Sequence, residues 1–149
     1  MDKPELLLEN QLCFPIYSVS RLITQAYQPY LEPLGLTYPQ YLVMLVLWEN
    51  DGVSINHITR KLLLNTNTVS PLLKRMESQS LLQRKRSEQD ERTVIIELTK
   101  KGSALKNEAA EIPHNLLAAV SSENMSAEEV NQLKNTLCKW MDALSKPKQ

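Results

Sequence analysis

Residues 54–101 read SINHITRKLLLNTNTVSPLLKRMESQSLLQRKRSEQDERTVIIELTKK, and the reading of this stretch decides the fold. Ser54 is placed to cap a short helix from Ile55 to Leu62, with Ile55, Ile58 and Leu62 as its apolar stripe. Asn65 or Thr66 then caps a second helix reaching about Gln79. Its inward face is Val69, Leu72, Leu73 and Met76, and its outward face is Asn67, Thr68, Ser70, Lys74 and Arg75. Two short helices joined by a tight turn, the second showing small polar and basic groups, make a helix-turn-helix pattern. Leu81 to Arg86, a polar stretch 87–91 and the β-branched run within Arg92 to Leu98 read as a hairpin. A hairpin directly after a helix-turn-helix is a wing. The expected fold is therefore mainly α with a small β-hairpin, a winged helix-turn-helix in which Ser54 to Lys101 faces DNA.

The charge distribution agrees with this, although the net charge does not. The 149 residues sum to zero, yet Arg60 to Lys101 holds ten basic and five acidic residues, a local +5 balanced by −5 elsewhere. A basic centre between acidic ends is the footprint of a phosphate-facing surface. From charge alone, a merely solvated face fits equally well.

Working outward, a helix is expected from about 11 to 32, with Pro15 tolerated in its first turn and Pro29 tightening or kinking its far end. Pro33-Leu34-Gly35 reads as a loop. A central core helix starts near Thr37 or Tyr38 and runs to Trp48 or Glu49, almost wholly apolar on the face of Tyr41, Leu42, Leu45, Val46 and Trp48. Asn50-Asp51-Gly52 marks a turn. Beyond the wing, Thr99 caps a helix that passes Gly102 to about Glu111, and Pro113 breaks or kinks it. Ser126 and Glu129 form a capping box opening a last helix with the stripe Val130, Leu133, Leu137, Met141 and Leu144. Such terminal helices hold more apolar surface than a compact monomer needs, and a two-fold dimer uses it while fixing the spacing of two reading helices. The chain thus divides into dimerisation helices at about 11–35 and 105–145 and a DNA-binding region at about 36–101.

Composition narrows the remaining options. No apolar run approaches a membrane span, and the N-terminus lacks the features of a signal peptide, so a cytoplasmic location is expected. The two cysteines, Cys13 and Cys138, lie near opposite ends, and a reducing compartment argues against a permanent bridge between them. There is no Cys-x-x-Cys pair, and His57 and His114 are isolated, so neither a metal nor another cofactor is expected.

The element order resembles the MarR family of bacterial regulators. Leu8-Glu9-Asn10-Gln11-Leu12-Cys13-Phe14 with Tyr17, Leu36-Thr37-Tyr38-Pro39-Gln40-Tyr41-Leu42, Pro71 to Glu77 and Arg84 to Arg92 are similar to its organic-hydroperoxide-resistance branch (OhrR type). The resemblance implies a homodimer that binds a pseudo-palindromic double-stranded operator and represses until an organic hydroperoxide oxidises its cysteine. It implies Cys13 as the redox-sensing residue, with Tyr27 and Tyr38 of the partner subunit hydrogen-bonding its thiolate. Asp90 and Arg92 resemble the wing pair in which the acid orients an arginine into the minor groove. Asn65 departs from the acidic residue expected at its position, which still provides a cap but puts any salt bridge there in doubt.

The chemistry is consistent with those roles. A thiolate attacks peroxide, and a helix N-terminus and tyrosine hydroxyls both favour the charged sulfur. The sulfenic acid formed can condense with a small thiol or be over-oxidised. Thr66, Asn67, Thr68 and Ser70 are the candidates for base-edge and phosphate contacts, Lys74 and Arg75 for phosphates, and Arg86, Asp90 and Arg92 for the wing. Cys138 lies inside the last helix beside Leu137 and reads as structural, so oxidised Cys13 relies on an external thiol. Tyr17, Tyr30 and Tyr41 read as packing residues, and Trp48 and Trp140 as core or interface. Three rivals stay open at this point: a regulator released by a non-covalent phenolic ligand, a thiol peroxidase using Cys13, and a DNA-binding module that senses nothing.

Overall fold

In the computed structural model, residues 3–121 and 125–147 are described. Two single 3₁₀ turns, Pro4–Leu6 and Leu8–Asn10, precede helix α1, Cys13–Leu31. Their leucines do not feed into a helix; Leu6, Leu8 and Leu12 are exposed. Pro15 falls in the first turn of α1 and Pro29 lies within its last turn without ending it. The expected loop at 33–35 is a further 3₁₀ turn, Glu32–Leu34, closed by Gly35 at φ +67°.

Helix α2, Tyr38–Glu49, begins with a full capping box: Thr37 Oγ1 accepts from the Gln40 N–H, and Gln40 Oε1 accepts from the Thr37 N–H. Strand β1, Val53–Ser54, leads into α3, Ile55–Leu62, where the Ser54 side chain caps the His57 N–H. Helix α4, Thr66–Ser78, is capped by Asn65 and accommodates Pro71 one and a half turns in. The wing is β2, Leu82–Arg86, and β3, Val94–Leu98. Here the structure extends the sequence reading. The sheet has three strands in the order β1-β3-β2, all antiparallel, because Val53 and Ser54 pair with Ile96 and Ile95. A two-residue strand is too short to leave a periodic signal.

Helices α5, Lys100–Ala109, and α6, Ile112–Val120, are separate, with Pro113 in the first turn of the second. Helix α7 is Ala127–Ser145, and the stretch 122–124 between α6 and α7 lies outside the described residues. The core joins α2, α3, α4 and the sheet through Val43, Met44, Ile58, Leu73, Met76 and Ile96, all fully buried. Each such side chain contributes about 1.5–3 kcal/mol by leaving water. Gly102 seats α5 on this unit: a Cβ there would collide with the Leu81 carbonyl oxygen. Its own carbonyl accepts from Trp48 Nε1 at 3.0 Å, tying α5 to α2.

The terminal helices behave differently. α7 buries no residue, so Leu133, Met141 and Leu144 of its stripe stay exposed. Tyr17 is not packed within the chain but 62% exposed, with the Arg21 guanidinium 5.0 Å from its ring centre. Tyr41, by contrast, is buried at the centre of an aromatic cluster.

Candidate DNA interface and thiol site

Thr66, Asn67 and Thr68 open the first turn of α4 and are exposed, as are Lys74 and Arg75 further along; Ser70 is half-buried. Asn65 Oδ1 accepts from the Thr68 N–H at 2.9 Å and from its hydroxyl at 3.1 Å, which fixes the turn that presents these groups. Arg86, Asp90 and Arg92 are exposed on the wing. A cleft of about 170 Å³ joins the two surfaces, lined by Ser54, Asn56, Thr66, Arg92 and Thr93. The starts of α3 and α4 and the wing turn thus meet around Arg92. Asn56 was missed by sequence reading, its only signal being its place just inside the Ser54 cap.

Asp90 bonds to the backbone beside Arg92. Its Oδ1 accepts from the Arg92 backbone N–H at 3.0 Å and its Oδ2 from the Thr93 hydroxyl at 3.1 Å. The acid therefore builds the wing turn and aims Arg92 through the backbone; among the described residues it makes no ion pair with the guanidinium.

The attitude of the wing is set by Glu77 of α4. Its carboxylate accepts from the Arg84 backbone N–H at 2.8 Å, from Nε at 3.1 Å and from Nη2 at 3.0 Å. These bonds, backbone first, hold the Glu77 carboxyl below its ordinary pKa. Lys85 donates to Glu97 Oε2 across the hairpin at 2.6 Å and lowers that carboxyl in the same way. Arg84 and Lys85 are thus internal braces, which leaves Arg86 and Arg92 as the outward wing cations.

The second candidate site lies at the other end of the molecule. Cys13 is the first residue of α1 and is exposed, and no side chain caps that helix start. Unpaired N–H groups there favour a nearby anion. The predicted tyrosines form a pair: the Tyr27 and Tyr38 rings are 4.7 Å apart, with Tyr41 5.6 Å from Tyr27. Burial, and then the neighbouring Tyr38 and Tyr41, push the Tyr27 phenol up to about 12. Burial raises Tyr38 as well. Both hydroxyls therefore stay protonated donors at any physiological pH. The structure does not bring Cys13 to them within one chain. Cys13 and Tyr27 share one straight helix fourteen positions apart, which separates them by about 21 Å. Cys138 is exposed on α7.

Fold and surface together define a winged-helix DNA-binding protein. Residues 25–109 match the SarA/Rot family of transcriptional regulators. The organic hydroperoxide resistance transcriptional regulator of Bacillus subtilis (strain 168) is 45% identical over 137 residues, covering 92% of this chain and 91% of that protein. A structure of reduced AbfR bound to DNA superposes with a TM-score of 0.80 at 36% identity, covering 98% of this chain and all of that one. A structure of overoxidized AbfR bound to DNA gives 0.76 at 36% identity, covering 92% and 94%. The chain belongs to the MarR family of transcriptional regulators, in its organic-hydroperoxide-resistance branch. It is a DNA-binding regulator rather than an enzyme. Among the described residues, no helix is long and apolar enough to cross a membrane.

Proposed function

We propose that this chain is a cytoplasmic homodimeric repressor that holds a pseudo-palindromic operator while Cys13 is reduced and releases it once an organic hydroperoxide has oxidised that sulfur. The observation that carries this reading is the separation along α1. An exposed cysteine at an open helix start and a pair of permanently protonated tyrosines lie too far apart to meet in one chain. A second copy, packed against the exposed apolar faces of α1 and α7, brings Cys13 of one subunit to Tyr27 and Tyr38 of the other.

The Cys13 thiolate attacks the distal oxygen of the hydroperoxide. The O–O bond breaks, the alkoxide leaves and takes up a proton as the alcohol, and the sulfur is oxidised to a sulfenic acid. A small thiol then condenses with it, forming an S–S bond and releasing water. AbfR has been seen bound to DNA in its overoxidized form, which supports a bulkier adduct as the trigger. The bulkier mixed disulfide is the species that displaces the tyrosines and moves the reading heads. Thr66, Asn67, Thr68 and Ser70 read the major groove, Lys74, Arg75 and Arg86 hold phosphates, and Arg92, positioned by Asp90, enters the minor groove.

Cys13→Ser tests the reading. With cumene hydroperoxide and free cysteine present, the variant should stay on DNA while the wild type dissociates. A Cys13→Ser protein that dissociates equally means that another trigger, such as a bound ligand, operates.

A further inference from the structure

Among the described residues Gln40 is the one buried polar side chain, at 4% exposure. Its two polar atoms serve different partners. Oε1 closes the capping box at Thr37, one residue before Tyr38. Nε2 donates at 3.2 Å to Oε1 of Gln79, the residue that ends the recognition helix α4. Gln79 reaches back in turn: its Nε2 donates to the Gly35 carbonyl at 3.3 Å, in the turn that leads into α2. Its own carbonyl accepts from Lys101 Nζ at 2.9 Å, at the start of α5. The turn carrying Tyr38 is therefore fastened by two directional bonds to the far end of the helix that reads DNA. The apolar packing of α2 and α4 in the shared core tolerates sliding; hydrogen bonds of fixed geometry do not.

We infer that Gln40 and Gln79 are positioning residues that carry a displacement of Tyr38 to the recognition helix, so that the sensor and the reading head move as one body. This rests on the sensing reading above. With the link intact, pushing Tyr38 aside pulls the C-terminal end of α4. With the link cut, α4 keeps its reduced pose when Tyr38 moves.

Gln79 is exposed, so Gln79→Ala removes both bonds without opening the core. The assay measures affinity for a duplex selected against reduced wild type, before and after cumene hydroperoxide plus cysteine. Gln79→Ala should bind in its reduced form within about threefold of wild type, yet lose about tenfold of the oxidation-induced drop. Gln79→Glu, whose carboxylate accepts from Gln40 Nε2 but cannot donate to the Gly35 carbonyl, should recover part of the drop that Gln79→Ala loses. Gln40→Met, which cuts the bond to Gln79 and the capping bond at Thr37 but leaves Gln79 on Gly35, should also lose part of the drop.

A normal drop in either Gln79→Ala or Gln40→Met overturns the inference. So does a Gln79→Glu protein that behaves like Gln79→Ala, or a smaller drop that merely follows weaker reduced binding. Wild type and Cys13→Ser run alongside: a wild type unmoved by oxidation brings down the sensing reading itself, and this inference with it.

Discussion

The winged unit and the terminal helices differ in how they finish folding. In α2–α4 and the sheet the core is closed by the same chain, and Val43, Met44, Ile58, Leu73 and Met76 have no solvent contact, although Leu45 of the expected face is 40% exposed. α7 carries an equally regular stripe and buries none of it. The apolar period is the same in both, so it does not by itself say whether a face meets its own chain or a second copy. Here the winged unit closes its core within one chain, and the terminal helices leave apolar faces exposed, which the proposed dimer covers.

Leu73→Ala and Met141→Asp break that contrast most strongly. Leu73→Ala should cost about 2–5 kcal/mol of unfolding free energy, measured by urea denaturation, at any protein concentration. Met141→Asp should instead shift the dimer dissociation constant, seen by sedimentation, and its effect on melting should depend on concentration. If both behave alike, the division between the halves is wrong. Arg92→Ala comes next: operator binding should weaken by about 1–3 kcal/mol, and the salt dependence should fall by about one phosphate-equivalent per subunit. Binding equal to wild type removes the wing from the interface.

Glu77→Gln sharpens the comparison within the DNA-reading half. The brace to Arg84 is about one-third exposed, so its loss should cost about 1 kcal/mol after screening. Because folding holds the Glu77 carboxyl below its ordinary 4.5, its contribution is present above that value and fades as pH falls through the lower folded one. The wild-type advantage over Glu77→Gln should therefore vanish in acid and persist at neutral pH. The smallest effect concerns Leu63, which holds φ +53° in the turn between α3 and α4. Leu63→Gly should raise stability by about 0.5 kcal/mol, the relief of left-handed strain less the added freedom of the unfolded chain.

The parts legible in the sequence share a physical feature. The caps at Ser54, Asn65, Thr99 and Ser126 are bonds between residues three apart, so the chemistry that makes them is printed locally. The wing was legible for the same reason, as a β-branched run after a polar tip. What was not legible depends on where distant segments meet: β1 against β3, Glu77 on Arg84, Gln40 on Gln79. The motif placed Asp90 beside Arg92, but a sequence motif does not say whether an acid grips a side chain or its backbone. Cys13, Tyr27 and Tyr38 came from a resemblance, and their separation along α1 means that the site as proposed requires two chains.

That requirement is tested most directly by a mixed dimer of a Cys13→Ser subunit with a Tyr27→Phe/Tyr38→Phe subunit. If each site is built across the pair, one site remains whole, joining the cysteine of the second subunit to the tyrosines of the first. Its thiol should react with cumene hydroperoxide within about twofold of the wild-type rate per site, because its chemistry is unchanged. A rate equal to that of the Tyr27→Phe/Tyr38→Phe homodimer would contradict the shared site.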